Sequence, residues 1–366
     1  MIAPLRSAVL HWTGVLPVAA VVLLALTWGR SLPVALVVLV SVFLAGAVLA
    51  AVHHAEVIAH RVGEPFGSLV LAVAVTVIEV ALIVTLMVDG GDKSAALARD
   101  TVFAAVMITT NGIVGLSLLI GSLKHKVAVF NAEGTGAALA TVATVAGLSL
   151  VLPTFTTSTP GPRFSPPQLV FAALAALALY GLFVATQTVR HRDYFLPVTT
   201  AGEVIDSEDH AEPPTARGAL VSLGLLALAL IAVVGLAKAV SPAIESAVAA
   251  AGLPSSVVGI VIALLVLLPE TIAAVRAARR DRVQTSLNLG LGSAMASIGL
   301  TIPAVALASI WLKGPLILGL GASHMVLLAL TVVVGDLTVV PGRATPLQAC
   351  VHLALLAAYI VLAVSP

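Results

Sequence analysis

The chain has 366 residues, of which 60 % are hydrophobic and only 10 % are charged. Its formal net charge of +1 provides no basic field for a nucleic acid, so the composition excludes that class of partner. The single cysteine, Cys350, excludes an intrachain disulfide and a zinc site built from cysteines. Because apolar segments recur along the whole length, we expect a polytopic helical membrane protein.

Eleven apolar segments of about the length of a membrane-spanning helix follow one another along the chain. The first follows Arg6, as in a signal peptide, but no small-residue cleavage site lies between Trp28 and the next apolar run, so we interpret it as a retained helix. The segments are 12–29, 31–52, 67–88, 100–122, 136–152, 168–189, 218–240, 254–275, 284–311, 315–336 and 345–364.

The positive charges between these segments are divided unequally when alternate loops are assigned to opposite sides. Twelve lysines and arginines fall on the side of the N-terminus and six on the other side. Positive charge concentrates in cytoplasmic loops, so the pattern predicts a cytoplasmic N-terminus and an outer C-terminus.

The longest polar interval, 190–217, divides the apolar chain into two halves of five segments each, after one extra N-terminal helix at 1–30. We interpret 31–189 and 218–366 as two five-helix repeats joined by an acidic cytoplasmic linker. A solvated flexible loop is the simpler interpretation of this linker, and a cation-collecting or regulatory role is the alternative. Its acids are Glu203, Asp206, Glu208, Asp209 and Glu212.

Both halves carry the same internal pattern around one acid. Glu79 in "VTVIEVAL" and Glu270 in "VLLPETIA" lie in the second segment of each half, and "RDTV" and "RDRV" open the third. Because five segments is an odd number, the halves enter the membrane in opposite directions. The sequence therefore predicts an all-α membrane protein of eleven transmembrane helices, one N-terminal helix plus two inverted repeats.

Each acid lies at a similar depth in its predicted helix. Glu79 is 12 residues beyond Gly67 and Glu270 is 11 beyond Gly259. At about 1.5 Å per residue, each acid lies roughly 17–18 Å along its segment, which places both near the bilayer midplane. An ionised carboxylate there costs at least about 2.5 kcal/mol, so both acids are candidate functional residues; protonation or a hydrogen bond between helices is the structural alternative.

Two facing carboxylates form a hard oxygen site that suits Ca²⁺ or Na⁺, and burial with like-charge repulsion raises its affinity for protons. Cations and protons then compete for one site, which predicts a secondary antiporter rather than an enzyme, with transported ions and no resident cofactor. A passive cation pore lined by the same acids is the alternative. Further candidate ligands or lining residues are Thr76, Asn111, Asn288 and Ser293.

Two other features bear on this site. Pro269, directly before Glu270, is predicted to break its helix and so free carbonyl groups for the ion. The small residues of "LNLGLGSAMASIGLTIP" in the ninth segment allow polar lining, and close helix packing is the equally good alternative.

The stretch "HHAEVIAH" brings histidines and an acid to near-helical spacing on the predicted cytoplasmic side. A proton or cation entrance, a transition-metal site and an interfacial helix without metal are the alternatives. The candidate entrance residues are His53, His54, Glu56, His60 and Glu64. We interpret His324 and His352, which lie in later segments, as helix-packing residues.

Several stretches across the chain resemble the Ca²⁺/proton antiporter family of the calcium/cation antiporter superfamily, in particular its bacterial ionic-transporter branch. They are "HHAEVIAHRVGEPFGSLVLAVAVTVIEV", "ARDTVFAAVMITTNGIVGLSLLIG", "RHRDYF", "LLPETIAAVRAA", "NLGLGSAMASIGLTIP" and "LQACVHLALLAAY".

The resemblance implies eleven helices, two inverted repeats, one essential acid per repeat at Glu79 and Glu270, and a place in the bacterial inner membrane. Many eukaryotic-type members have a Gly-Asn pair before each acid. Here Val75 and Thr76, and Val266 and Leu267, stand at those positions, and this branch is also associated with Na⁺/proton and K⁺/proton exchange.

Overall fold

The computed structural model describes residues 3–30, 32–63, 66–90, 95–198, 214–311 and 314–365. The chain divides into two compact units, each built from two separate stretches. The first unit comprises Met1–Asp89 and Asp209–Ser255, and the second comprises Gly90–Glu208 and Ser256–Pro366. The five linker acids from Glu203 to Glu212 lie outside the described residues, and the predicted division into repeats stays a prediction.

Helices dominate the described residues, as the apolar composition predicts. They are α1 (Ala3–Thr27), α2 (Val34–Val62), α3 (Phe66–Gly90), α4 (Leu97–Met107), α5 (Val114–His125), α6 (Ala132–Ala146), α7 (Pro166–Ala185), α8 (Ala216–Ala250), α9 (Ser256–Val266), α10 (Leu268–Arg279), α11 (Val283–Ala308), α12 (Ala322–Val339) and α13 (Pro346–Val364). π-Helical turns lie at Ile108–Ile113, Gly147–Val151 and Thr186–Arg190, and 3₁₀ turns at Leu152–Thr154 and Arg192–Phe195.

Two short strands, β1 (Ala128–Val129) and β2 (Arg343–Ala344), pair antiparallel in the second unit with Ala128 opposite Ala344. The Phe130 amide extends this pairing by donating to the Gly342 carbonyl at 3.0 Å. The strands thus join the turn after α5 to the turn before α13.

Eight helical stretches in the described residues are long and apolar enough to cross a membrane, and α9 with α10 forms a ninth that is bent by 53°. Two shorter apolar stretches, Trp12–Thr27 and Ala72–Val88, correspond to the first and third predicted segments. The polytopic helical membrane fold is confirmed, whereas the exact number of eleven spans stays a prediction.

Three predicted boundaries were wrong, and one of them is the end of α8, which continues ten residues beyond the predicted end at 240. Helix α2 continues ten residues beyond the predicted end at 52 and closes at Gly63, whose φ of 76° is a left-handed conformation that glycine adopts readily. The predicted helix at 315–336 begins only at Ala322. The residues before it are extended, since the amides of Ile317, Gly319 and Leu320 donate to carbonyls outside their own segment. Glycine and proline weaken a helix there.

In the first unit, α1, α2 and α8 pack against one another. Gly46 of α2 lies against Leu16, and Gly235 of α8 lies against Leu24, so that a Cβ at either glycine would collide with a leucine of α1. Small residues therefore set the close approach of these three helices.

In the second unit, α11 is the central helix and packs against α4, α5, α6, α7 and α10. Gly290 allows the approach of Ile113, and Gly299 allows the approach of Tyr180. The small residues of the ninth predicted segment thus serve helix packing at these two positions.

Candidate functional site

Glu79 lies on α3 in the first unit and is only 2 % exposed. It shares a buried face with Ile78 and Leu82, whereas Val73 and Val77 are exposed on the opposite side of the helix. α3 is continuous from Phe66 to Gly90, so the backbone around this acid is regular helix. An ionised carboxylate inside an apolar span is costly, so Glu79 stays a candidate functional residue.

Thr76 lies one turn before Glu79 and is also buried, at 7 % exposure. Residues three apart are neighbours on a helix surface, so its hydroxyl lies on the side of α3 that carries the carboxylate. Within the described residues this hydroxyl has no hydrogen-bond partner. A buried hydroxyl in that situation is usually bonded to an ion or a water molecule, and the ligand role of Thr76 stays a prediction.

Glu270 lies in the first turn of α10 in the second unit and is half-buried. The helix breaks at Leu267, two residues before Pro269, and the axes of α9 and α10 differ by 53°. The predicted break is therefore present, because proline offers no amide to the carbonyl of Leu265 and its ring crowds that carbonyl.

Two serines hold α10 one turn beyond Glu270. Ser286 Oγ donates to the Ala274 carbonyl at 2.7 Å, and Ser117 Oγ lies 2.5 Å from Ser286 Oγ. Both serines are fully buried. The sequence analysis missed them, because a serine among small apolar residues carries no distinctive pattern. Together they tie the acid-bearing helix to α11 and α5.

Asn111 lies in the π-helical turn Ile108–Ile113 and is fully buried. Its Nδ2 donates to Thr331 Oγ1 at 2.9 Å, and its Oδ1 lies 3.2 Å from His352 Nδ1. Since Oδ1 can only accept, the proton of this bond is assigned to His352 Nδ1. The amide is thus bonded to α12 and α13, and a ligand role for it stays a prediction. His352 also contacts Thr338 and joins helices, as expected.

Asn288 connects α11 to the 3₁₀ turn Arg192–Phe195, near the start of the predicted linker. Its Nδ2 donates to the Phe195 carbonyl at 2.6 Å, and its Oδ1 accepts from Gln284 Nε2 at 2.8 Å. Gln284 Oε1 in turn accepts from the Asn131 amide at 2.7 Å. Ser293 is half-buried on the continuous helix α11. The ligand roles of Asn288 and Ser293 stay predictions.

The histidine-rich stretch lies on the last turns of α2, and its members differ in environment. His54 is buried, at 4 % exposure, and its Nε2 donates to the Thr13 carbonyl at 3.0 Å while Nδ1 accepts from Ser222 Oγ at 3.3 Å. It therefore joins α1, α2 and α8. Its three described neighbours in this stretch are less enclosed: His53 is half-buried, and Glu56 and His60 are exposed.

Within the described part of the chain, no three histidine, cysteine or acidic side chains are placed to hold a metal ion. Glu64 lies outside the described residues. An entrance role for the exposed members of this stretch stays a prediction.

The two predicted acids lie in different compact units, Glu79 in the first and Glu270 in the second. A carboxylate inside the helices of an apolar, many-helix chain is typical of membrane transporters, and that is the class of protein that the fold and these two positions indicate.

Comparison with known proteins specifies the family. The model of the family described as sodium/calcium exchanger protein matches residues 32–189 and 221–365. The chain therefore belongs to the sodium/calcium exchanger protein family, which consists of transporters, and the resemblance found in the sequence is confirmed.

Two relatives match most of the chain. A putative ionic transporter, y4hA, from Sinorhizobium fredii is 50 % identical over 327 residues, which cover 88 % of this chain and 87 % of the relative. The sodium-potassium/proton antiporter ChaA from Escherichia coli is 35 % identical over 317 residues, which cover 87 % and 85 %.

Solved structures share the fold. An H⁺/Ca²⁺ exchanger, CAX, aligns with a TM-score of 0.72 at 17 % identity over 98 % of this chain and 92 % of that one. Native YfkE aligns with a TM-score of 0.71 at 16 % identity over 95 % and 98 %.

Proposed function

We propose that this chain is a secondary active antiporter that exports a cation in exchange for protons by alternating access, with Glu79 and Glu270 binding the cation or protons in turn. The observation that carries this proposal is the environment of Glu79, a carboxylate only 2 % exposed on a helix whose other buried side chains, apart from Thr76, are apolar. Such a group is neutralised by a proton or a cation, and competition between the two couples their movements.

The transported cation is Ca²⁺ or a monovalent ion. Ca²⁺ takes six to eight oxygen ligands. At the positions three residues before the acids, Thr76 supplies a hydroxyl but Leu267 supplies none. The relative from Escherichia coli is named for sodium, potassium and protons. We therefore propose Na⁺ and K⁺ as substrates to be tested on equal terms with Ca²⁺.

We further propose that the protein lies in the bacterial inner membrane with its N-terminus in the cytoplasm. The excess of lysine and arginine in alternate loops supports this orientation. Labelling of single cysteines placed in successive loops, in a chain whose Cys350 is replaced, would test it. Labelling of a cysteine in the turn after α10 from outside intact cells would show that the orientation is opposite to the proposed one.

The transport proposal is tested in reconstituted vesicles of the purified chain. An imposed pH gradient should drive ⁴⁵Ca²⁺, ²²Na⁺ or ⁸⁶Rb⁺ against the cation's own gradient, and dissipation of both gradients without coupling would instead support a passive pore. Glu79→Gln and Glu270→Gln keep the side-chain size and should each abolish exchange. Glu133→Gln, at an exposed acid in the first turn of α6, is the matched control and should transport normally. Full exchange in either site variant would overturn the assignment.

A further inference from the structure

The end of α10 and the turns beside it form an exposed basic surface in the second unit. We call it the basic end surface and define it by residues that are all exposed: Lys124, Lys126, Arg276, Arg279, Arg280 and Arg282. The two lysines flank the end of α5, and the arginines occupy the last turn of α10 and the turn into α11.

Asp281 joins the two parts of this surface. Its carboxylate accepts from Lys124 Nζ and, at 2.9 Å, from His125 Nε2. Asp281 has a φ of 62°, and Lys126, beside the same contact, has a φ of 69°. Positive φ is uncommon for residues other than glycine, so both turns hold an unusual backbone conformation where they meet.

The four arginines of the basic end surface are not part of the ion pairs found among the described residues. There, Asp281 pairs with Lys124 and His125, and Arg99 pairs with Asp100 at a different helix end. Within the described part of the chain, four exposed guanidinium groups thus lie within seven residues without an ion pair to a carboxylate.

We propose that the basic end surface binds the headgroups of anionic phospholipids. The bent span of α9 and α10 ends at Arg279, which places the arginines where the helix leaves the apolar part of the bilayer. Clusters of four or more lysines and arginines in that position attract anionic lipids, and the planar guanidinium pairs with phosphate oxygens in two parallel hydrogen bonds.

On the basis of the proposed function, a bound headgroup also acts on the transport site. α10 carries Glu270 in its first turn and the arginines in its last. Lipid held at one end of this 12-residue helix restrains the position of the acid at the other. Lipid binding itself does not depend on what the acid transports.

Binding is measured on the purified full chain in neutral detergent, by native mass spectrometry and by titration with phosphatidylglycerol or phosphatidylcholine of the same acyl chains. The wild-type chain should bind phosphatidylglycerol at least tenfold more tightly. The triple variant Arg279→Gln, Arg280→Gln, Arg282→Gln should lose roughly 100-fold in affinity for phosphatidylglycerol, from about a tenfold loss or less per removed charge. The triple Arg→Lys variant keeps the charges and should stay within several-fold of wild type.

Arg163→Gln is the control, because Arg163 is a loop arginine whose side chain donates to the Pro160 carbonyl. It should leave the preference for phosphatidylglycerol unchanged. Equal binding of both lipids by the wild-type chain, or an unchanged preference in the triple Gln variant, would show that the arginines set topology only. Displacement of the lipid by an equal concentration of glycerol phosphate would show a site for free phosphate, and either result overturns the proposal.

Transport assays separate this proposal from the proposed function. Loss of exchange in every lipid with intact lipid preference would count against the antiporter alone. Exchange that persists with no lipid preference would count against the basic end surface alone.

Discussion

Ser286 Oγ on α11 donates a hydrogen bond of 2.7 Å to the carbonyl oxygen of Ala274, four residues beyond Glu270 on α10. The bond crosses between two helices at a fully buried position, and Ser117 of α5 joins it at 2.5 Å. The Ala274 carbonyl thus has a partner from outside its own helix. This contact fixes α10 beyond the break, where proline has weakened the backbone.

Ser286→Ala should release α10 and shift Glu270. The buried Ala274 carbonyl then has one hydrogen-bond partner fewer, which lowers the free energy of unfolding by about 1 kcal/mol. Because Glu270 is held less firmly, the KM for the cation should rise more than kcat falls. Thermal unfolding in detergent and vesicle transport measure the two effects. Ser309→Ala is the control, because Ser309 Oγ bonds only the Ala306 carbonyl of its own turn. Equal KM values for both variants would contradict the positioning role.

Asp281 should make stability depend on pH. Hydrogen bonds from Lys124 and then from His125 lower its pKa below the ordinary value of 3.8. A lowered pKa means that the contribution is complete above pH 3.8 and is lost as the pH falls through the folded-state value. The melting temperature of Asp281→Asn should therefore lie below that of wild type at pH 7, and the difference should shrink at pH 3.

The exposure of Asp281 makes this effect small and sensitive to salt, so the difference at pH 7 should also shrink in 1 M NaCl. Asp193→Asn is the control, at an exposed aspartate in the 3₁₀ turn. A difference between Asp281→Asn and wild type that persists unchanged at pH 3 would contradict the ion pair as its cause.

Gly134→Ala should destabilise the second unit. A Cβ at Gly134 would collide with the carbonyl oxygen of Tyr194, which is backbone and cannot move aside as a side chain would. We expect a loss of about 1–3 kcal/mol. Gly147→Ala is matched to it, because a Cβ there meets nothing within 4 Å. The melting temperatures of the two variants should differ by several degrees. Equal melting temperatures would show that the 3₁₀ turn can move away from the added Cβ without loss of stability.

His54→Ala should lower stability without changing the pH profile of transport. The variant removes the bonds to the Thr13 carbonyl and to Ser222 Oγ, leaving buried polar groups without this partner, at a cost of about 1–3 kcal/mol. His60→Ala, at an exposed position of α2, is the control and should melt like wild type. A shift in the pH dependence of exchange that is specific to His54→Ala would instead support the predicted entrance role of His54.

Hydropathy and loop charge sufficed to predict the membrane fold, because a bilayer requires long apolar helices whatever their packing. Pro269 also predicted the break before Glu270, since proline acts through local geometry. The sequence did not reveal the π-helical turn at Asn111, the serines of α5 and α11 that hold α10, or the extended run before Ala322. These depend on partners distant in sequence, such as Thr331 for Asn111 and Ala274 for Ser286, and no local pattern encodes them.

The break at Leu267 gives the two acids different backbone surroundings. The backbone carbonyls around Glu79 belong to a regular helix. Near Glu270, in contrast, the carbonyl of Leu265 receives no helical hydrogen bond from residue 269, because proline has no amide hydrogen. A cation beside Glu270 can therefore replace side-chain oxygens with main-chain oxygens, and one beside Glu79 depends on side chains such as Thr76. The variant Glu79→Asp should consequently lose more of the exchange activity than the variant Glu270→Asp.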